Sequence, residues 1–144
     1  MNKDVQLINE AYEKSTSTKE YTEAVLNAPY NSKTKTGVKT LSNGIKEWWK
    51  NGLFHRDNDM PAIERADGSK QWYKNGELHR DNDMPAYVGA DGTKSWYKNG
   101  QLHRDNDMPA IVRADGSKEW CKNDKFIRKE TPFQGALREL GIDL

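Results

Sequence analysis

The chain has little cysteine, no excess of charge and no long apolar run, and each shortage excludes a class of protein. Its single cysteine, Cys121, cannot form an internal disulfide and is typical of a reducing compartment. No apolar stretch approaches the ~20 residues that a membrane-spanning helix needs, and no secretory signal is visible. With 23 basic and 22 acidic side chains, the charge balance indicates neither a nucleic acid nor a membrane surface as partner. We therefore expect a protein of the cytoplasm.

Apolar residues are also scarce, at 34% of the 144 residues, against 31% for charged residues. This length allows one compact domain, or a repeat array with small terminal pieces. The core must be thin, so the five tryptophans, six tyrosines and three phenylalanines must supply much of its buried area.

What the chain does have is one octapeptide, HRDNDMPA, that occurs three times at a spacing of 24 residues. The copies lie at 55–62, 79–86 and 103–110, with no insertion or deletion between them. A fixed short period is typical of stacked supersecondary units, and such arrays present surfaces to partners more often than they enclose a reaction centre.

The full unit extends beyond the octapeptide and is complete in the copies that begin at Pro61 and Pro85. A third copy begins at Pro109 and decays after Asn123, and a divergent copy begins near Gly37. We therefore predict four repeats over residues 37–130, with degraded outer copies that cap the array. One tryptophan of each copy shares the same register: Trp48, Trp72, Trp96 and Trp120.

Two dipeptides in each unit predict tight turns. Asp-Gly and Asn-Gly both tolerate the positive φ angles of a type I′ turn, so we expect two-residue hairpin loops at each. The Asp-Gly copies are 67–68, 91–92 and 115–116, and the Asn-Gly copies are 51–52, 75–76 and 99–100.

That loop length fixes the register between strands. One face of the sheet should carry a row of Trp, Ile and His, and the other a row of Tyr, Leu and Ala. The expected cross-strand pairs are Tyr73 with Leu78, Trp72 with His79, Ile63 with Trp72, and Ala62 with Tyr73.

The Arg-Asp-Asn-Asp-Met-Pro segment must connect one unit to the next. Proline blocks the continuation of a central strand, and Asp and Asn favour bends. We predict a corner or bulge, and the sequence leaves open whether each unit has two strands or three.

Helical patterns lie outside the repeats. Apolar residues at helical spacing predict helices over 3–14 and 18–27. The polar composition of segment 31–36 indicates a loose linker. At the other end, Thr131 predicts an N-cap, with Pro132 at the first position and a capping box completed by Gln134. The helix should end at Gly141 and cover the open end of the sheet with its apolar face, which consists of Phe133, Ala136, Leu137 and Leu140.

The predicted fold is mainly β: an array of four antiparallel β-hairpin repeats with short N-terminal and C-terminal helices. The corresponding domain organisation is a helical segment 1–30, a linker 31–36, a four-repeat β domain 37–130 and a capping helix 131–144.

The combination of Trp-Tyr-Lys-Asn-Gly, a following His and Ala-Asp-Gly-Ser-Lys over residues 37–130 resembles MORN repeats and their bacterial and viral variants. The resemblance implies β-hairpin units stacked into an elongated, twisted sheet. It also implies a binding or scaffolding role, with no catalytic activity common to the family. The chain departs from MORN repeats at the corner, where their glycine-rich His-Gly-x-Gly is replaced by His-Arg-Asp-Asn-Asp-Met-Pro.

Residues 1–10 resemble the capsid-targeting leader of internal head proteins in T-even-like phages. Those leaders are short amphipathic helices cut after a Leu/Ile-x-Glu triplet, which here would be Ile8-Asn9-Glu10, with cleavage between Glu10 and Ala11. The resemblance implies a phage protein carried in the virion interior. The alternative is an ordinary N-terminal helix that packs on the sheet.

The His and Asp residues of the corners raise a metal hypothesis, which geometry argues against. Equivalent residues lie two strands apart, roughly 10 Å, so they cannot share one ion. Within one corner His79, Asp81 and Asp83 could approach calcium, but the glycine and distal glutamate of an EF-hand loop are missing. We predict no metal, no cofactor and no catalytic residue. The candidate binding residues are those of the three corners: His55, Arg56, Asp57, Asp59, His79, Arg80, Asp81, Asp83, His103, Arg104, Asp105 and Asp107.

The sequence thus favours a non-catalytic protein that binds another protein through the repeated corners. The sharper hypothesis is a packaged phage head protein that binds and inhibits a host factor. A metal-ion-dependent enzyme or ion-binding module that uses the corners is the alternative, and a membrane-associated host scaffold is a third. Nucleic acid is not favoured because Ile63, Tyr87 and Ile111 should cover the tryptophan face. The partner and the oligomeric state stay open.

Overall fold

The protein is a meander of short antiparallel strands in a computed structural model that describes residues 23–143. The mainly β, hairpin-based fold predicted from the sequence is confirmed. The strands are β1 Gly37–Thr40, β2 Lys46–Lys50, β3 Leu53–Phe54, β4 Ile63–Glu64, β5 Lys70–Gln71, β6 Tyr73–Lys74, β7 Glu77–Leu78, β8 Tyr87–Val88, β9 Lys94–Ser95, β10 Tyr97–Lys98, β11 Gln101–Leu102, β12 Ile111–Val112, β13 Lys118–Lys122 and β14 Lys125–Glu130. The helices are α1 Glu23–Leu26 and α2 Pro132–Glu139.

The main sheet runs in the order β1-β2-β4-β5-β8-β9-β12-β13-β14, and β3 pairs with β2. The pairs β6-β7 and β10-β11 form separate two-stranded hairpins. Each 24-residue step therefore adds two strands to the main sheet and one hairpin at its side.

Trp72 shows how the hairpin and the main sheet connect. Its N–H donates to Ala86 O at 2.8 Å, and its carbonyl accepts from His79 N–H at 3.0 Å. The extended segment 70–74 thus pairs with β8 through β5 and then with β7 through β6. Residues 79–85 loop out between β7 and β8. Each unit therefore has two extended segments, and the returning one is interrupted by the corner that the sequence predicts.

The Asn-Gly turns have the predicted register. Tyr73 pairs with Leu78, and Lys74 with Glu77. Asn75 and Gly76 have φ angles of 51° and 84°, as a type I′ turn requires at its two central positions.

The predicted register around the Asp-Gly turns is wrong by one residue. Arg65 N–H donates to Ser69 O at 2.9 Å, so three residues form the loop, and only Gly68 of them has positive φ. The Asp67 carboxylate accepts from Ser69 N–H at 2.8 Å, which stabilises this wider loop. Ile63 therefore lies opposite Gln71 and not opposite Trp72.

Because side chains alternate along a strand, this one-residue shift moves Ile63 and Ala62 each to the face of the sheet opposite to the predicted one. Ala62 does not pair with Tyr73, since its N–H donates to Gln71 O at 2.9 Å. The predicted Trp, Ile, His row and Tyr, Leu, Ala row are therefore wrong in the placement of Ile and Ala. The buried core consists mainly of Trp48, Trp72, Trp96 and Trp120, at 4–8% exposure, and Ala62, Ala86 and Ala110, at 0%.

In the N-terminal region the described residues begin at residue 23. α1, Glu23–Leu26, lies within the predicted helix 18–27, and residues 18–22 of that prediction lie outside the described residues. The polar segment predicted as a loose linker is instead ordered. The segment 31–36 is an ordered turn, in which Asn31 N–H donates to Thr36 O at 2.9 Å and Thr36 is 2% exposed. The predicted helix 3–14, the leader 1–10 and its cleavage site lie outside the described residues.

The C-terminal helix has the predicted caps but not the predicted packing. Thr131 forms the capping box with Gln134, and Gly141 follows the helix with a φ of 73°. However, Phe133 and Leu140 are 68% and 74% exposed, so the apolar face does not cover the sheet. None of the described helices is long and apolar enough to cross a membrane.

Polar contacts hold α2 in this orientation. Gly135 is its buried residue, and a Cβ there would lie 2.9 Å from Glu130 Oε1. Arg138 also pairs with Glu130, at 3.2 Å. The side of the helix without bulky apolar groups therefore contacts β14.

Candidate interaction surface

The three corner loops, residues 55–61, 79–85 and 103–109, form a row that we call the corner ridge. Each contains a type I′ turn without glycine. In the second loop Met84 N–H donates to Asp81 O at 3.3 Å, and Asn82 and Asp83 have φ angles of 59° and 53°. Asn and Asp are the non-glycine residues that best tolerate this left-handed region.

An arginine of each unit clamps the corner of the preceding unit. Arg80 Nε and Nη2 donate to the two carboxylate oxygens of Asp59 at 2.7 and 2.8 Å. Arg104 binds Asp83 in the same way at 2.9 and 2.8 Å. These hydrogen bonds from arginine lower the pKa of Asp59 and Asp83 from the ordinary range.

The guanidinium groups of the same arginines lie over the tryptophan rings of the core. The guanidinium carbon of Arg80 is 3.9 Å from the Trp72 ring centroid, and that of Arg104 is 3.8 Å from Trp96. Trp72 Nε1–H also donates to Asp59 O at 2.9 Å. The aspartate at the left-handed position is thus bound by the next unit through both its side chain and its carbonyl.

Each corner histidine connects two units through its two ring nitrogens. His79 Nδ1 accepts from the backbone N–H of Asn99 at 3.1 Å, because a backbone nitrogen can only donate. Nε2 must then carry the proton, and it donates to Asp81 Oδ1 at 2.9 Å. His55 repeats both contacts. So does His103, whose Nδ1 also lies 2.8 Å from Asn123 Oδ1.

The histidines in turn affect the acidity of their partners. The hydrogen bond from His79, followed by that from Lys74, lowers the pKa of Asp81. The hydrogen bond from His103 lowers the pKa of Asp105. The repeated His-Arg-Asp groups therefore serve mainly to join units.

Arg128 belongs to the same set, and the sequence prediction missed it. It stacks 4.1 Å from Trp120 and its Nη2 lies 3.1 Å from both carboxylate oxygens of Asp107. The signal was available, because Arg128 follows Arg104 by the 24-residue period even though the surrounding octapeptide has decayed.

Residues 27–36 supply the contacts that the first unit lacks from a preceding unit. Trp48 Nε1–H donates to Asn27 Oδ1 at 3.2 Å, in place of a corner carbonyl. Asn51 N–H donates to Thr36 Oγ1 at 3.0 Å, in place of a histidine nitrogen. Gly52 N–H donates to Lys35 O at 2.8 Å, as Gly76 does to Phe54 O. No repeat pattern marks this segment, so the sequence could not show its role.

The outer surface of the ridge carries side chains that do not take part in these connections. The methionines of the three turns are 42–44% exposed. The amides of the asparagines at the turn tips are exposed and make no hydrogen bond within residues 23–143. The methionines are Met60, Met84 and Met108, and the asparagines are Asn58, Asn82 and Asn106.

A groove lies beside each corner, and the three grooves have volumes of about 270, 200 and 210 Å³. The largest is lined by Met84, Tyr97 and residues of two successive corners. Lys74 Nζ lies 3.2 Å from Asp81, and Lys98 Nζ lies 3.8 Å from Asp105. The lysine and aspartate charges thus balance along the ridge.

The described residues contain no group of three His, Cys, Asp or Glu side chains arranged to hold a metal ion. Cys121 is buried, and burial raises the pKa of its thiol, which disfavours the nucleophilic thiolate.

Comparison with protein-family models, with curated proteins and with solved structures gave no match for this chain. The resemblances to MORN repeats and to a phage leader therefore stay predictions.

Proposed function

We propose that this chain is a non-catalytic binding protein whose corner ridge contacts a partner protein. The observation that carries this proposal is that, in each corner, the side chains that join units differ from those that face solvent. His, Arg and Asp hold successive units in one geometry, while an Asn amide and a Met side chain of every corner stay exposed and outside those contacts. A surface that repeats at a fixed spacing lets a partner make the same weak contact several times, which increases the overall affinity.

The chemistry of the ridge favours a protein over a polyanion. The paired lysines and aspartates leave no excess of positive charge for phosphate groups. Exposed methionines are flexible and polarizable, and they suit apolar side chains of a partner.

Photo-crosslinking tests where the partner binds. A photo-reactive amino acid at Met84 should crosslink a host protein, whereas the same group at Ala90 should not. Ala90 is a matched control because it is also exposed and lies close in sequence, but belongs to the Asp-Gly turn of the next unit. Equal crosslinking from both positions, or none from either, contradicts the proposal.

The leader resemblance supports a more specific hypothesis about origin. The chain would be carried in a phage head, cut between Glu10 and Ala11, and delivered to the host cytoplasm, where it binds and inhibits a host factor. Mass spectrometry of purified virions should then find a chain that begins at Ala11. Virions without the chain, or with peptides that span the Glu10–Ala11 bond, exclude this hypothesis while leaving the binding role intact.

A further inference from the structure

We propose that the corner ridge binds an extended, proline-rich segment of its partner in the polyproline II conformation. This inference rests on the proposed function and names the class of partner that fits the ridge. Three properties of the described residues carry it: the period of the corners, the polar groups that the corners leave exposed, and the balance of charge beside them.

The period is set by the sheet. The three corners directly precede β4, β8 and β12. The order β4-β5-β8-β9-β12 places these strands two positions apart in the main sheet. Neighbouring strands lie about 4.7–4.9 Å apart, so equivalent groups recur at about 9.4–9.8 Å along the array. A partner that repeats a contact at every corner must match this distance.

Polyproline II matches it with side chains that point in one direction. It has three residues per turn and a rise of 3.1 Å, so every third residue returns to the same side after about 9.3 Å. The mismatch with the ridge is thus at most about 0.5 Å per corner.

The other regular conformations fit less well. In a β-strand, residues three apart span about 10 Å but point to opposite faces, so only alternate corners could be occupied. In an α-helix, seven residues make about two turns and span about 10.5 Å. This differs by about 1 Å from the spacing of the corners, and the difference accumulates from corner to corner.

The exposed groups also suit this conformation. A polyproline II segment has no internal hydrogen bonds, so its carbonyls are available to donors. The amides of Asn58, Asn82 and Asn106 are donors that no described residue uses. Between them, Met84 and Tyr97 line a groove of about 270 Å³ that can accept one apolar side chain of the segment.

The charge and shape of the ridge are consistent with a neutral, pliable partner. Two of the ammonium groups beside the corners already have a carboxylate, at 3.2 Å for Lys74 and 3.8 Å for Lys98, so these positions require no strongly charged ligand. The right-handed twist of a sheet rotates each corner relative to the last. A segment without internal hydrogen bonds can bend to follow that path more easily than a helix can.

Synthetic peptides test the inference directly. The probes are twelve-residue peptides (Pro-Pro-X)₄, with X varied over every amino acid other than proline. Each has a control of the same composition in which the four X residues are irregularly spaced. We expect at least one regular peptide to bind the full chain at least about tenfold more tightly than its control.

Two variants show whether such binding uses the ridge. M60E/M84E/M108E places a charge on every corner and should weaken binding at least about tenfold. A66E/A90E/A114E places the same charges, at the same period, in the exposed Asp-Gly turns and should leave binding unchanged.

The outcomes separate this inference from the function on which it rests. If no regular peptide binds better than its control, or if the methionine variant binds the peptide normally, the polyproline II partner is excluded. The proposed function survives that result when a host protein still crosslinks at position 84. When no host protein crosslinks there either, both fail.

Discussion

Single residues in the corners perform two tasks that usually conflict. Asp59, Asp83 and Asp107 occupy the left-handed region, where glycine is the residue with the least strain. Aspartate is present because its carboxylate binds the next arginine and its carbonyl binds the next indole. The cost of the backbone conformation is therefore offset by contacts between units.

Substitutions at Asp83 should separate these two tasks. Asp83→Ala loses the Arg104 contact and puts alanine in the left-handed region, so we expect the free energy of unfolding in urea to fall by about 1–2 kcal/mol. Asp83→Asn keeps the tolerance for that conformation and should cost about 0.5–1 kcal/mol, since solvent screens a carboxylate that is 58% exposed. The exposed Glu77→Ala serves as control and should change stability by less than about 0.5 kcal/mol. Equal losses for all three variants contradict the assigned roles.

The decrease in the free energy of unfolding at acidic pH should depend on the same aspartates. The pKa values of Asp59 and Asp83 are lowered in the folded chain, chiefly by hydrogen bonds from arginine. The unfolded chain therefore binds protons first as pH falls, and stability decreases with falling pH. The contribution is complete above the unfolded pKa of about 3.9 and is lost as pH falls through the folded values.

Urea unfolding between pH 7 and pH 2 measures this dependence. We expect stability to depend little on pH near neutrality, where the contribution of these groups is complete, and to decline below about pH 5, with a shallower decline in D59N/D83N. A double variant with the same acid slope as the parent chain shows that the two ion pairs do not contribute.

At the scale of the element, sequence patterns predicted turns better than they predicted which surface each element buries. Asn-Gly gave the correct loop length because both residues take positive φ. Asp-Gly did not, because the Asp67 side chain bonds to Ser69 and makes a three-residue loop. That contact involves the carboxylate and cannot be inferred from dipeptide preference alone.

The C-terminal helix shows the same limit. Its caps are local and were predicted from Thr131, Gln134 and Gly141, and the structure confirms them. Its orientation depends on contacts between Glu130, Gly135 and Arg138, which bring the polar side to the sheet. For the candidate site, the sequence predicted the His, Arg and Asp residues of the corners as binding residues, and that role stays a prediction. Their partners one unit away, and the exposed Asn and Met side chains, were not predicted.

The exposed face of α2 leads to a stability prediction. Phe133→Ala and Leu140→Ala should each change the free energy of unfolding by less than about 0.5 kcal/mol, because both side chains are mostly exposed. The matched control, Ile63→Ala, removes a side chain that is 6% exposed and should cost about 2–4 kcal/mol. Urea unfolding of the three variants checks this, and a large loss for Phe133→Ala would show that the helix packs by its apolar face.

At the scale of the whole molecule, each unit is stabilised by contacts with its neighbours. The contacts that join units, from arginine to aspartate, from the indole to a carbonyl and from the backbone to histidine, connect residues 13–21 positions apart. Each of them connects adjacent units. The chain therefore resembles a one-dimensional array in which each unit depends on its neighbours. Residues 27–36 replace a neighbour at the N-terminal end.

Removal of one contact in this terminal cap should have a local effect. Thr36→Val keeps the shape of the buried side chain but removes the acceptor for Asn51 N–H, at a cost of about 1 kcal/mol. Hydrogen exchange should speed up at Asn51 and Gly52 and remain unchanged at Gly100, whereas Thr36→Ser should retain the parent pattern. Uniform acceleration along the chain contradicts the array description.

The central claim is that the exposed surface of the corners binds a protein. The most direct test is the affinity of the protein crosslinked at position 84 for the full chain and for its two triple variants. We predict that M60E/M84E/M108E weakens binding at least about tenfold, while A66E/A90E/A114E binds as the parent chain does. Equal affinity of both variants for that protein would show that the corner ridge is not the binding surface.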